Sequence, residues 1–374
     1  MKIKKVVLPI FYKILINKRV KHNMPIHSSE KNLKQNYDSI DLLKMILCIF
    51  VVSIHTGFLS SMIYPIVRIA VPCFFIITGF FTFNNLDKLK SAKEKKEKCM
   101  NIIKRYLILY VFWVLCNLPY TVYTRDFFKQ NFSESLVAFI KSLLRGNAFP
   151  GSWYIIASAL GIILIYILSC HFSNKQIILI TIPFYLYATF TCEFSLAIQS
   201  SFPILNKIND YFTYFLGYPQ FSFCIALLYI AIGKLLADNI EYMQDNIKIY
   251  LGLLAASVFL LFGEYYYIST KNFFIYNNDC LFTLLPVAVF TVLMSLNTHI
   301  KCRYSKSIRN ISTIIYCSHI TASAIFRKVL SILNITDNQN ILLFILTFCS
   351  CLLGSCLILR LEQHKKFKWL KLSH

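Results

Sequence analysis

The chain has 374 residues, 57% of them hydrophobic, 16% aromatic and only 15% charged, with a formal net charge of +22. Those proportions exceed the norm for a soluble domain and, with long apolar runs, point to an all-α polytopic membrane protein. The basic residues cluster in short loops between apolar runs, which is the pattern of membrane topology, so no nucleic-acid partner is expected. Of the thirteen cysteines, Cys48, Cys73, Cys116, Cys224, Cys349, Cys351 and Cys356 sit inside apolar runs, where cysteine acts as a small hydrophobe. No Cys/His cluster has zinc spacing, and no structural metal is expected.

Residues 1–38 form a basic N-terminal segment. Lys13 interrupts the apolar stretch Val6–Ile16, and Lys18, Arg19 and Lys21 follow without a small-residue cleavage site. A basic amphipathic segment on the cytoplasmic leaflet is expected there, not a cleavable signal. About ten transmembrane helices follow, near 39–59, 62–83, 105–124, 152–170, 176–194, 215–236, 248–268, 281–297, 309–331 and 341–360. Ten crossings put both termini on one side, and most Lys and Arg fall inside when that side is the cytoplasm. Within the outer segment 125–151, Ser133–Leu144 reads as a short amphipathic helix with Leu136, Phe139, Ile140, Leu143 and Leu144 on one side. The membrane domain is thus 39–360, and 361–374 is a short basic cytoplasmic tail, too short to fold alone.

The first span carries three ionisable residues, Asp41, Lys44 and His55. Such residues are costly in a bilayer and mark function by default. The step from Lys44 to His55 turns about 1100°, which leaves them ~20° apart on one face and ~16 Å apart along the axis. Asp41, three residues before Lys44, shares that stripe. The stripe therefore sets a charged pair at the mouth and an imidazole deep in the membrane. A histidine is suited to act as general base near neutral pH, and a structural imidazole bonded between helices is the competing reading. Asp41 holds Lys44, binds polar groups of a substrate, or simply lowers the cost of insertion.

Asp41-x-x-Lys44-x10-His55 resembles the first-helix motif of the acyltransferase-3 family of bacterial integral-membrane acyltransferases, which more often has arginine at the Lys44 position. Val71-Pro72-Cys73-Phe74-Phe75 through Thr78-Gly79-Phe80 is similar to the family's second-helix stretch. Lys104-Arg105 resembles its basic third-helix start, Gly151-Ser152-Trp153-Tyr154 its Leu-Trp-Phe/Tyr signature, and Tyr316-Cys317-Ser318-His319 its late Tyr-x-x-His. The likeness runs over residues 38–360. No SGNH hydrolase-like or amino-acid racemase domain, which some relatives carry, is read within these residues.

The resemblance implies a membrane enzyme of the bacterial inner membrane that transfers an acyl group, commonly acetyl, from cytoplasmic acyl-CoA to a hydroxyl of a cell-envelope carbohydrate or lipid-linked glycan. His55 would be the base, with Lys44 and Asp41 beside it. Lys44, Lys104 and Arg105 would meet the phosphates of acyl-CoA (acetyl-CoA as the usual donor). The run Lys88–Lys98 is either part of that site or a topology signal set against membrane lipids. His319 is a second catalytic group or a packing residue, and Trp153 a sugar platform or an interfacial anchor. Glu264 is an acceptor for sugar hydroxyls or a water-exposed carboxylate. Arg68 and Arg145 are expected at the outer surface. The alternative function is a polysaccharide-precursor transporter or flippase, although no internal repeat supports it; a catalytically inactive scaffold is a weaker one. The acceptor sugar, the acyl length and the oligomeric state are not written in the sequence.

Overall fold

A computed structural model describes residues 37–59, 63–124, 131–243, 246–271, 273–274, 279–335 and 339–374. The basic segment expected over 1–36 lies outside them. The described chain is helical, with no strand. Its longer helices are α1 (Asp38–Thr56), α2 (Ala70–Asp87), α3 (Ala92–Cys116), α4 (Phe132–Leu144), α5 (Trp153–His171) and α6 (Asn174–Glu193). They continue with α7 (Pro203–Leu216), α8 (Phe223–Asn239), α9 (Ile247–Lys271), α10 (Leu281–Asn297), α11 (Ser305–Ile332) and α12 (Gln339–Leu361). A 3-10 segment, Lys365–Ser373, follows α12.

All ten predicted spans are helical. Eight helical stretches are long and apolar enough to cross a membrane. The remaining two are α10, which is apolar but shorter, and α11, which carries Lys306 and Arg309 near one end and Arg327 and Lys328 near the other. Two boundaries differ from expectation for physical reasons. The third helix starts at Ala92, well before 105, because Ser91 forms a capping box with Glu94 and a lysine-rich amphipathic stretch stays helical even though it is not apolar. The expected 215–236 span begins only at Phe223, because Gly217, at φ 85°, and Pro219 break an apolar run that hydropathy alone reads through. The expected amphipathic helix is α4, with Leu136, Ile140 and Leu144 exposed.

The middle of the bundle is α8, packed on α2, α5 and α6. Tyr229 and Ile230 are fully buried there. Its contact with α2 is backbone against backbone. A Cβ added at Gly79 would stand 2.4 Å from the Ile230 carbonyl oxygen, and one at Gly233 2.2 Å from that of Ile76. Only hydrogen fits at either position, and the close approach maximises dispersion contact.

A second seam, between α1 and α11, places the ionisable residues. The Cys302 N–H donates to Asp38 at 2.8 Å, the Ser305 hydroxyl to Asp41 at 2.6 Å, and the Cys48 thiol to the Ser312 carbonyl at 2.9 Å, each pair 264 residues apart. The same offset brings His55 to His319. The two helices therefore run parallel. Asp41, Cys48 and His55 recur at the heptad spacing of a helix seam, as do Ser305, Ser312 and His319.

Candidate active site

Asp41 organises one end of the seam. It is 5% exposed, accepts the Ser305 hydroxyl, and stands 3.5 Å from Lys44 Nζ and 3.7 Å from Arg309 Nη1. Lys44 Nζ also lies 5.1 Å from the centre of the Phe81 ring, a cation–π contact. One carboxylate thus faces two cations, and the mouth keeps a net positive charge. Lys44 turns toward neighbouring helices and not toward lipid.

His55 holds the other end. It stands in the last turn of α1, before Gly57 closes the helix in a left-handed conformation, so it marks the far end of the span and not its depth as expected. The carbonyl of His55 accepts from Arg327 at 3.2 Å. Its ring centre is 5.0 Å from that of His319, which is 1% exposed and sits midway along α11. His319 Nδ1 lies 2.7 Å from the Tyr316 carbonyl oxygen. A carbonyl only accepts, so Nδ1 carries the proton and Nε2 keeps its lone pair. That Nε2 is buried without a hydrogen-bond partner.

Between the two ends runs one stripe of α2. Phe74, Thr78 and Phe81 are half-buried, while Phe75, Ile76, Ile77 and Phe80 around them are buried. Phe81 lies under Lys44. Thr78 Oγ1 meets the hydroxyls of Tyr106 at 3.2 Å and Tyr154 at 3.0 Å. Phe74 contacts the rings of Tyr154 and Tyr316 at 5.9 and 5.8 Å. Tyr316, whose hydroxyl donates to the Gly151 carbonyl at 2.9 Å, lies 6.1 Å from the His319 ring. Aromatic faces and hydroxyls thus occupy the stretch between Lys44 and the histidines.

The other predicted residues are placed elsewhere. Lys104 and Arg105 line a separate cavity with Lys371. Trp153 packs on Phe75 and Phe221, at 5.9 and 5.4 Å, away from the histidines, whereas its neighbour Tyr154 faces the stripe. Glu264 accepts from both the backbone N–H and the hydroxyl of Thr283, so it is a bonded carboxylate and not a water-exposed one. It lies close to fully buried Glu193, which accepts the Leu281 N–H. Arg68 is not at the surface as expected. It pairs with buried Asp279 at 2.5 Å, packs on the Tyr64 ring, and acts electrostatically on His55. Arg145 bonds the Tyr214 carbonyl beside a cavity of about 320 Å³ between α4 and α7. Among the described residues no group of three His, Cys, Asp or Glu is arranged to hold a metal ion.

Sequence reasoning missed Arg309, Ser305, Thr78, Tyr106, Arg68 and Asp279. Thr78 fell inside a recognised stretch, and its position four residues from Phe74 was the available signal. Ser305, which bonds Asp41, lies 264 residues away, where no local pattern can point.

The acyltransferase-3 family model, described as an acyltransferase domain, matches residues 37–360. The chain is 23% identical over 343 residues to an amino-acid racemase of Enterococcus faecalis, covering 87% of this chain and 46% of that protein. It is 25% identical over 265 residues to a serine/alanine racemase of Enterococcus gallinarum, covering 67% of this chain and 36% of that protein. The chain spans less than half the length of the curated relatives it matches. No solved structure matches it.

Proposed function

This chain belongs to the acyltransferase-3 family, and on that premise we propose that it is a membrane O-acyltransferase using cytoplasmic acyl-CoA, with acetyl as the usual group. Its acceptor is a hydroxyl of a cell-envelope carbohydrate, free or lipid-linked, and its setting is a bacterial inner membrane. The observation that carries the reading is the pair of imidazoles 5.0 Å apart, joined by an aromatic and hydroxyl-bearing stripe to a cationic mouth at Lys44.

In this reading Lys44 and Arg309 meet the anionic part of the donor at the mouth. The slender arm lies along Phe81, Thr78 and Phe74, where the hydroxyls of Tyr106 and Tyr154 supply hydrogen bonds in an otherwise apolar lining. The thioester carbonyl then reaches the histidines. His55 takes the proton of the acceptor hydroxyl as its oxygen attacks the carbonyl carbon, and the tetrahedral intermediate expels the thiolate, which recovers that proton. His319, its Nδ1–H fixed by Tyr316, offers a lone pair to the same space and orients the His55 ring. The racemase names belong to longer proteins, and this reading concerns only the matched membrane part.

The test is acyl transfer from labelled acetyl-CoA by purified protein in lipid, with glycans from the host envelope as acceptors. His55→Ala, inserted normally, is expected to lose about 10²–10⁴-fold in rate. Transfer retained by that variant would end the assignment of the base. Glycan export without any transfer by the unaltered protein would favour a transporter.

A further inference from the structure

The 3-10 segment after α12 is anchored to α3. The Trp113 indole N–H donates to the Ser373 carbonyl at 3.0 Å, Ser373 is fully buried, and Leu370 is 9% exposed. This docking forms one side of a half-open cavity of about 160 Å³ lined by Asn101, Lys104, Arg105 and Ile108 on one side and by Lys371 and His374 on the other. The α3 residues fall at i, i+3, i+4 and i+7, a single helix face. Lys371 and His374 are three apart, the spacing that aligns side chains on 3-10 geometry.

Three cations, Lys104, Arg105 and Lys371, therefore line the cavity. Among the described residues none of the three cations forms an ion pair. Glu362 is engaged by His374 at 3.3 Å. Burial pushes the His374 imidazole below the usual histidine range; Glu362 opposes this, while Arg105, Lys306 and Lys371 push the same way. Lys306 follows Ser305, the residue bonded to Asp41. Like charges held around an open space repel one another until an anion enters.

We propose that Lys365–His374 forms one wall of a phosphate-binding pocket, with Lys371 as a third cation beside Lys104 and Arg105. This rests on the acyl-CoA reading for its occupant, the nucleotide phosphates of the donor. The same chemistry would take the phosphate of an anionic lipid, and the test separates the two.

Binding of coenzyme A and of inorganic pyrophosphate is measured by calorimetry on the full chain in phosphatidylcholine nanodiscs. Lys371→Glu is expected to weaken both by roughly ten- to hundredfold, and Lys371→Arg to restore them, with unchanged thermal unfolding. If Lys371→Glu binds both probes as the unaltered protein does while Lys104→Glu loses them, the segment is packing only and the proposal is overturned. If the unaltered protein binds pyrophosphate but not coenzyme A, and Lys371→Glu loses it, the pocket stands and the acyl-CoA reading falls. Loss of both probes when phosphatidylglycerol is added to the nanodiscs assigns the pocket to lipid and overturns its role in holding the donor.

Discussion

The two ends of the α1–α11 seam are built from opposite chemistries. At the Asp41 end a single buried carboxylate faces Lys44 and Arg309, and Lys306 stands close by. At the His55 end two imidazoles adjoin a region where buried Asp279 holds Arg68, Glu193 and Glu264 stand close by, and Arg327 bonds the His55 carbonyl. Charge at the first end is in excess and half-open to water, which suits an anion that arrives and leaves. At the second, Arg68 is locked onto Asp279 while Glu193 and Glu264 accept backbone N–H groups inside the protein, where an unpaired ion is costly, and this suits a fixed reaction site. A helix pair can thus carry a ligand-facing end and a preorganised end at the two extremes of one register.

The sharpest way to break this contrast is to ask whether the imidazoles act as a unit. His319→Ala is expected to cost about 10²-fold or more in the rate of acyl transfer, and the double variant with His55→Ala to fall no further than the worse single variant. Multiplying losses would place the two rings in separate roles. Next is the locked pair. Asp279→Ala leaves Arg68 buried without its partner and is expected to lower stability by about 3–5 kcal/mol, read as thermal unfolding in detergent, with Arg68→Ala/Asp279→Ala recovering part of it. An unchanged melting point for Asp279→Ala would show that water reaches Arg68. The smallest effect belongs to the open end. Lys44→Ala is expected to raise KM for acetyl-CoA roughly tenfold with little change in kcat, and Lys44→Arg to restore it, as measured by steady-state kinetics. A fall in kcat alone would move Lys44 from binding to chemistry.

Much of the fold was legible because apolar length is a one-dimensional signal. All ten predicted segments are helices, and α10 begins and ends at the expected residues. The misplaced start of α8 came from reading hydropathy through Gly217 and Pro219, and that of α3 from treating lysines as a loop signal when a capped helix carries them. At the site, the spacing of Asp41, Lys44 and His55 put them on one helix face, and Asp41 with Lys44 is a contact that i, i+3 spacing dictates. The partners were hidden for a different reason. Arg309, Arg68 and Asp279 come into place through helix packing, which no local period encodes. Arg68 in particular read as a surface arginine because its carboxylate lies on another loop, far along the chain.

The crossing at Gly79 and Gly233 bears on how this protein could move. The helix whose half-buried side lines the route from Lys44 to the histidines is, on its opposite side, pressed backbone to backbone on the central helix. A wall so fastened has no slack for a breathing motion, because shifting it would forfeit a whole ladder of close carbon–oxygen contacts at once. On the acyl-CoA reading, admission and exit of the donor then fall to α1, α3 or α11, whose side-chain contacts can loosen one at a time.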